Sequence, residues 1–198
     1  MNTAHSSRGA RHGGALGPSA GMSLVELVIV LGIMGVIAAM AGLSIIQAKP
    51  AIQGDGAMRS VLSQMRTARE LAISERRCMR VAFIPTSAIR IVREEVPGPS
   101  TTTLSTVGLE SGAVFSQATG VPDTPDAFGA ASAVDFGAVT TIKFTPDGTL
   151  VDQDGNVVNG TVFVTLPGSA SSARAITVLG STGRIRGYRW DGRAWKLV

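Results

Sequence analysis

The chain has 198 residues and a formal net charge of +4, from 18 basic and 14 acidic residues, a length that suits one globular domain plus an anchoring segment. Its two histidines, His5 and His12, precede Gly21, and Cys78 is its single cysteine. That composition excludes His-based acid–base chemistry, Cys–His nucleophiles, most zinc sites and any intramolecular disulfide from the bulk of the chain.

Residues 1–21 are rich in Gly, Ala and Ser and carry Arg8 and Arg11. They cannot build a core, and basic residues ahead of an apolar run keep that side cytoplasmic. From Leu27 to Ile46 there are twenty consecutive residues without a charge. A helix of that length spans about 30 Å, the thickness of a bilayer's hydrocarbon core. Glu26 stands at the entrance. A carboxylate costs about 2.5–3.5 kcal/mol at a membrane centre, less near the edge, and usually has a partner. A secretory signal peptide has an apolar core of about 7–15 residues with its small-residue cleavage site behind it. Here the small residue, Gly21, precedes a run long enough to span. Gly32, Gly35, Ala38, Ala39, Ala41 and Gly42 permit close helix–helix approach, although glycine is also simply frequent in spanning helices.

Gly21-Met22-Ser23-Leu24-Val25-Glu26-Leu27, with the apolar run behind it, resembles the N-terminus of the type IV pilin and pseudopilin family. The resemblance implies that residues 1–21 are a leader, cut after Gly21 by a prepilin peptidase. It implies that the new first residue, Met22, is N-methylated and that Glu26, then the fifth residue, acts in assembly. A single transmembrane helix at 22–46 in a bacterial inner membrane, with a periplasmic C-terminal domain, is expected. So is incorporation into a pilus or pseudopilus, with other pilins or pseudopilins and an inner-membrane assembly platform as partners. Many members close a C-terminal loop with a disulfide. The lone Cys78 departs from that pattern, so the C-terminal region is expected to be held by strand pairing alone.

Residues 47–78 read as an amphipathic continuation of the helix. Pro50 kinks it or marks a short break. Gly54-Asp55-Gly56 is a second interruption, or Asp55 caps a new segment. Met58, Val61, Leu62 and Met65 recur at helical spacing, continued by Ala68 and Ala72, while Arg59, Arg66, Arg69, Glu70 and Arg76 lie mostly off that stripe.

After Cys78 the period changes to two, and 79–198 reads as an antiparallel β domain. Met79–Ile84 and Ala88–Arg93 are paired strands around Pro85-Thr86-Ser87. Residues 97–135 are Pro, Gly, Ser and Thr rich without a sustained pattern, and are expected to form a long loop with at most short strands around Gly112–Phe115. Strands return at Thr140–Thr145, Thr161–Leu166, Ala173–Leu179, Arg184–Trp190 and Arg193–Val198, separated by turn signals that indicate a meander. Asp152, Asp154, Gly155 and Asn156 faintly resemble a calcium loop but lack its spacing and closing glutamate. A hairpin tip is the preferred reading, and no metal or cofactor is expected.

The expected fold class is therefore α+β and pilin-like: a long N-terminal helix, its first half transmembrane, packed on a C-terminal antiparallel β domain. The order of strand pair, long loop, Phe144-Thr145-Pro146-Asp147-Gly148 and closing Gly183-Arg184-Ile185-Arg186 resembles one branch of the family. That branch contains the H-type pseudopilins of type II secretion and the FimT-type minor pilins.

Charge is concentrated at the C-terminal end. Without Arg8 and Arg11 the balance is +2, and Arg184, Arg186, Arg189, Arg193 and Lys196 against Asp191 hold +4 of it, leaving −2 elsewhere. In FimT-type pilins the Gly-Arg-x-Arg motif is associated with DNA capture. The resemblance carries that role to Arg184 and Arg186 here, with Arg189 and Arg193 as further candidates. On an unbroken strand Arg184, Arg186, Tyr188 and Trp190 share one face, and arginines beside aromatics suit a flexible polyanion. The alternative is a solvated basic edge strand that discourages aggregation, with Trp190 and Trp195 packed as core. The leading reading remains a structural subunit of a secretion pseudopilus, with a DNA-binding minor pilin as the alternative. Nothing in the chain supports an enzyme.

Overall fold

The computed structural model describes residues 22–137, 139 and 141–198, the side chains of 41–44 and 47 excepted. The expected leader, with Gly21, lies outside the described residues. The chain separates into two units, Met1–Leu43 and Ser44–Val198. Helix α1, Leu24–Glu75, supplies helical residues to both.

In the first unit Leu24, Val28, Leu31, Met34 and Ile37 are all exposed. Among the described residues no helix is long and apolar enough to cross a membrane. The expected span at 22–46 includes residues 41–44, whose side chains lie outside the description.

In the second unit α1 continues through Pro50 and through Gly54-Asp55-Gly56 to Glu75. Neither a break at Pro50 nor an interruption at 54–56, each one of the expected alternatives, occurs. Proline deprives the helix of one hydrogen bond, but tertiary packing outweighs local propensity in most protein helices. Here the Ala51 carbonyl and the Asp55 carboxylate are both bound by Arg174. The helix stops in a Schellman arrangement: Arg76 adopts φ +51 and the Arg77 amide donates to the Ala72 carbonyl at 3.3 Å.

Among the described residues ten strands follow: β1 Met79–Ile84, β2 Ala88–Glu94, β3 Thr101–Gly108, β4 Val134–Asp135, β5 Ile142–Phe144, β6 Leu150–Val151, β7 Gly160–Leu166, β8 Ser169–Leu179, β9 Arg184–Trp190 and β10 Trp195–Leu197. They form two antiparallel sheets, one in the order β3-β2-β1-β5-β6 and one in the order β10-β9-β8-β7-β4. The stripe Met58, Val61, Leu62, Met65, Ala68 and Ala72 is buried. It joins a core with Val81 of β1, Ile91 of β2, Phe144 of β5, Val162 and Val164 of β7, and Ile176 and Val178 of β8.

The expected loop over 97–135 contains an eight-residue strand, β3, paired along its length with β2. A bulge explains why no alternation announces it. Opposite Ile91 and Val92 stand Ser105 and Thr103, so Leu104 is the extra residue. Leu104 and Val107 both pack toward the core, at a spacing of three rather than two. Period-two reading fails where the strand itself breaks period.

Candidate functional site

Met22 is exposed and precedes α1, and Glu26 lies in the first turn, also exposed. The Leu27 amide donates to the Ser23 carbonyl at 3.0 Å. A carboxylate there complements the positive end of the helix dipole.

Arg184, Arg186 and Arg189 share strand β9 but not a fate. β9 pairs with β8 in one register, Thr177 opposite Arg186 and Arg174 opposite Arg189. Arg186 Nη1 is 2.9 Å from Asp126 Oδ1 in an ion pair. Tyr188 OH and Thr177 Oγ1 donate to the other oxygen of that carboxylate. Burial alone would raise the Asp126 pKa, but the bonds from Thr177 and Tyr188 and the Arg186 charge outweigh it and hold the carboxyl below its ordinary value. Burial, reinforced by the bond to Asp126, pushes the Tyr188 phenol up.

Arg189 points the other way, its Nη1 3.8 Å from Asp55 Oδ2. Arg193 sits in the exposed β9–β10 turn. There Asp191 accepts the Arg193 and Ala194 amides at 2.8 Å and pairs with Lys196 at 2.9 Å. The Ala194 amide, the Lys196 ammonium and the Arg193 amide lower the Asp191 pKa. Much of the positive charge counted in the sequence is thus answered by a nearby carboxylate.

Arg184 differs. Together with Arg66, Arg69 and Glu70 of α1 it lines a surface cleft of about 390 Å³ beside Thr182 and Gly183. A second cleft of about 310 Å³ continues along the helix past Arg59 and Arg66. Arg59 and Arg66 lie seven residues apart, two helical turns on one face. Arg69 is committed to structure: its Nε donates to the Gly148 carbonyl at 3.1 Å and its Nη2 to the Thr182 carbonyl at 3.2 Å. These bonds tie α1 to the loops that present Arg184, so the C-terminal region is not held by strand pairing alone. Gly183 adopts φ +59, and a Cβ there would collide with the Gly148 carbonyl oxygen, which is why glycine precedes the first arginine.

Two residues that matter here went unread in the sequence. Arg174, in the middle of β8, is fully buried. Its Nε meets Asp55 Oδ1 at 2.6 Å, Nη1 donates to the carbonyls of Ser171 and Ala173, and Nη2 to that of Ala51. A single charge in an otherwise uncharged strand was the available signal. The other is Asp126, set in the proline-rich run Pro122-Asp123-Thr124-Pro125-Asp126, whose partners are all more than fifty residues away in sequence.

Asp152 closes a hairpin tip. Its Oδ1 accepts the Asp154 and Asn156 amides, each at 2.8 Å. Among the described residues no group of three or more His, Cys, Asp or Glu side chains could hold a metal ion.

A family model described as Type II transport protein GspH matches residues 57–183. Among solved structures, two crystal forms of the type IV minor pilin FimU of Pseudomonas aeruginosa (strain PAO1) are similar at 17% identity. One has a TM-score of 0.48 over 72% of this chain and 91% of that one. The other has 17% identity and a TM-score of 0.45 over 67% and 90%. No curated protein matches the chain.

Proposed function

The chain belongs to the Type II transport protein GspH family, and from that premise we propose that it is a minor pseudopilin of a type II secretion machine. In this reading a prepilin peptidase cuts after Gly21, Met22 is methylated, and residues 22–46 span the inner membrane. Residues 47–198 are then periplasmic, and the chain enters a pseudopilus with other pilin-like subunits on an assembly platform. The observation that carries the reading is the family match over 57–183, which runs from the buried stripe of α1 to the glycine ahead of Arg184. The apolar side chains exposed on 24–37 support it, since such a surface needs lipid or neighbouring helices to cover it. Deleting the gene should abolish release of exoproteins while leaving piliation and DNA uptake intact. Retained secretion with lost piliation would move the protein to a type IV pilus.

The Arg66–Arg184 cleft favours a second reading, a minor pilin that binds DNA. Cationic side chains from two elements converge there, and among the described residues no carboxylate pairs with Arg184 as Asp126 does with Arg186. Each phosphate contact contributes about −0.9 to the slope of log affinity against log salt on duplex and about −0.7 on single strands. Contacts from Arg66 and Arg184 should therefore give a slope of about −1.4 to −1.8. Arg66→Gln with Arg184→Gln should flatten it and leave the melt nearly unchanged, because exposed charges contribute little to stability. Equal DNA binding by the double variant would remove this reading.

A further inference from the structure

The outer face of the second sheet is covered by the chain segment around 122–131. Phe163, Ala175 and Tyr188 form a small buried cluster there, with Ala130 and Trp195 packed against it. The Trp195 indole donates to the Pro122 carbonyl at 2.9 Å. In the middle lies Asp126, whose carboxylate takes three donors: Thr177 Oγ1 at 2.6 Å, Tyr188 OH at 2.9 Å and Arg186 Nη1 at 2.9 Å. Thr177 and Arg186 are directly opposite in the β8–β9 ladder, and Tyr188 is two residues along on the same face. The donors are therefore fixed by paired strands, whereas the acceptor comes from a connecting segment.

A hydroxyl, a phenol and a guanidinium converging on one anion also form a donor set for a phosphate oxygen. The acceptor's setting differs from that of a plain structural ion pair. Ala127, the next residue, adopts φ +53, a region that residues with a Cβ rarely enter, and backbone strain of this kind collects at clamps and switch segments. The Arg186 side chain keeps 35% of its surface exposed while Asp126 keeps 13%, so an incoming anion can reach the guanidinium before the carboxylate leaves.

We propose that Thr177, Arg186 and Tyr188 form a phosphate-binding site for single-stranded DNA, and that Asp126 is an internal occupant which a backbone phosphate displaces. The proposal rests on the DNA-binding reading above and adds a gate to it: the Arg66–Arg184 cleft engages the strand, and displacement of Asp126 then recruits Arg186. A single strand is the fitting form because the face beneath the segment carries Phe163, Tyr188 and Trp195, rings suited to stacking on unpaired bases.

The test compares the full chain in neutral detergent with Asp126→Asn and, as a charge-matched control, Glu110→Gln, which removes an exposed carboxylate elsewhere in the same connection. Binding of a single-stranded DNA oligonucleotide is measured across salt. Asp126→Asn should bind about tenfold more tightly than the control, within the usual range of coupling between sites, with a salt slope steeper by about 0.7 for one added contact. Adding Arg186→Gln should remove both gains. If Asp126→Asn binds no better than Glu110→Gln while the wild type binds, the gate is refuted and the cleft reading stands. If neither wild type nor Asp126→Asn binds, both are refuted. Should Asp126→Asn lose its cooperative melt, hydrogen exchange on the wild type decides. Amides of 122–131 should exchange faster at saturating oligonucleotide, and unchanged protection overturns the proposal.

Discussion

Arg174 and Asp55 carry the residue-scale argument. A fully buried guanidinium is tolerated only when its donors are answered, and here four acceptors answer it: one carboxylate and three backbone carbonyls. The pair anchors the α1 turn at 51–55 to β8. Removing one partner of a buried pair costs about 3–5 kcal/mol, mostly because the other charge is stranded. Asp55→Ala should therefore lower the melting temperature far more than Glu70→Ala, which removes an exposed helix carboxylate lining the two open clefts. Asp55→Ala combined with Arg174→Met should recover much of the loss, since an apolar replacement of a whole buried pair is often close to neutral. Thermal melts of the three variants decide; equal effects of Asp55→Ala and Glu70→Ala would mean that the clamp is idle.

At the scale of elements, the contact between α1 and the second sheet depends on Gly54. In an exposed helix interior Gly→Ala gains about 1 kcal/mol. At this position a Cβ would collide with the Ser172 carbonyl oxygen, and backbone cannot swing aside as a side chain can. Overpacking costs about 1–3 kcal/mol, so Gly54→Ala should destabilise, the reverse of its propensity. Gly56, whose Cβ would meet nothing within 4 Å, should show the ordinary gain on Gly56→Ala. The pair of melts separates packing from propensity, and stabilisation by both substitutions would refute the close approach. The same residues show what was legible in the sequence. The Met58–Ala72 stripe and the Arg184–Trp190 strand follow from local periodicity, which the chain displays openly. The continuity of α1 at 50–56 does not, because Gly54, Asp55 and Ala51 are read correctly only with Ser172 and Arg174 alongside, more than a hundred residues away. β3 was hidden by its bulge. The arginine candidates were legible as residues, but their division into Arg184 at a cleft, Arg186 on Asp126 and Arg189 beside Asp55 depends on partners that no spacing announces.

At the scale of the whole molecule, the two units have different needs. Ser44–Val198 holds its own core, with the helical stripe and both sheets contributing. A fragment from Pro50 to Val198 retains that stripe and the Arg174 partners, and should melt cooperatively without the preceding helix; a disordered fragment would mean that folding needs the missing part. The preceding helix exposes its apolar side chains and so depends on what surrounds it. That dependence makes Glu26 the informative position. In lipid its charge is a cost, so Glu26→Ala should insert at least as well as the wild type. In a filament a carboxylate among packed helices requires a positive partner, and the proposed processing after Gly21 would create one, the free amine of a neighbouring subunit's Met22. Losing one side of such a pair costs about 3–5 kcal/mol, enough to shift incorporation by more than a hundredfold at about 1.4 kcal/mol per tenfold. Membrane fractionation should therefore find Glu26→Ala at wild-type level while sheared filaments lack it. Wild-type incorporation of the variant would show that Glu26 has no such partner, and its place at the helix entrance would then owe nothing to assembly.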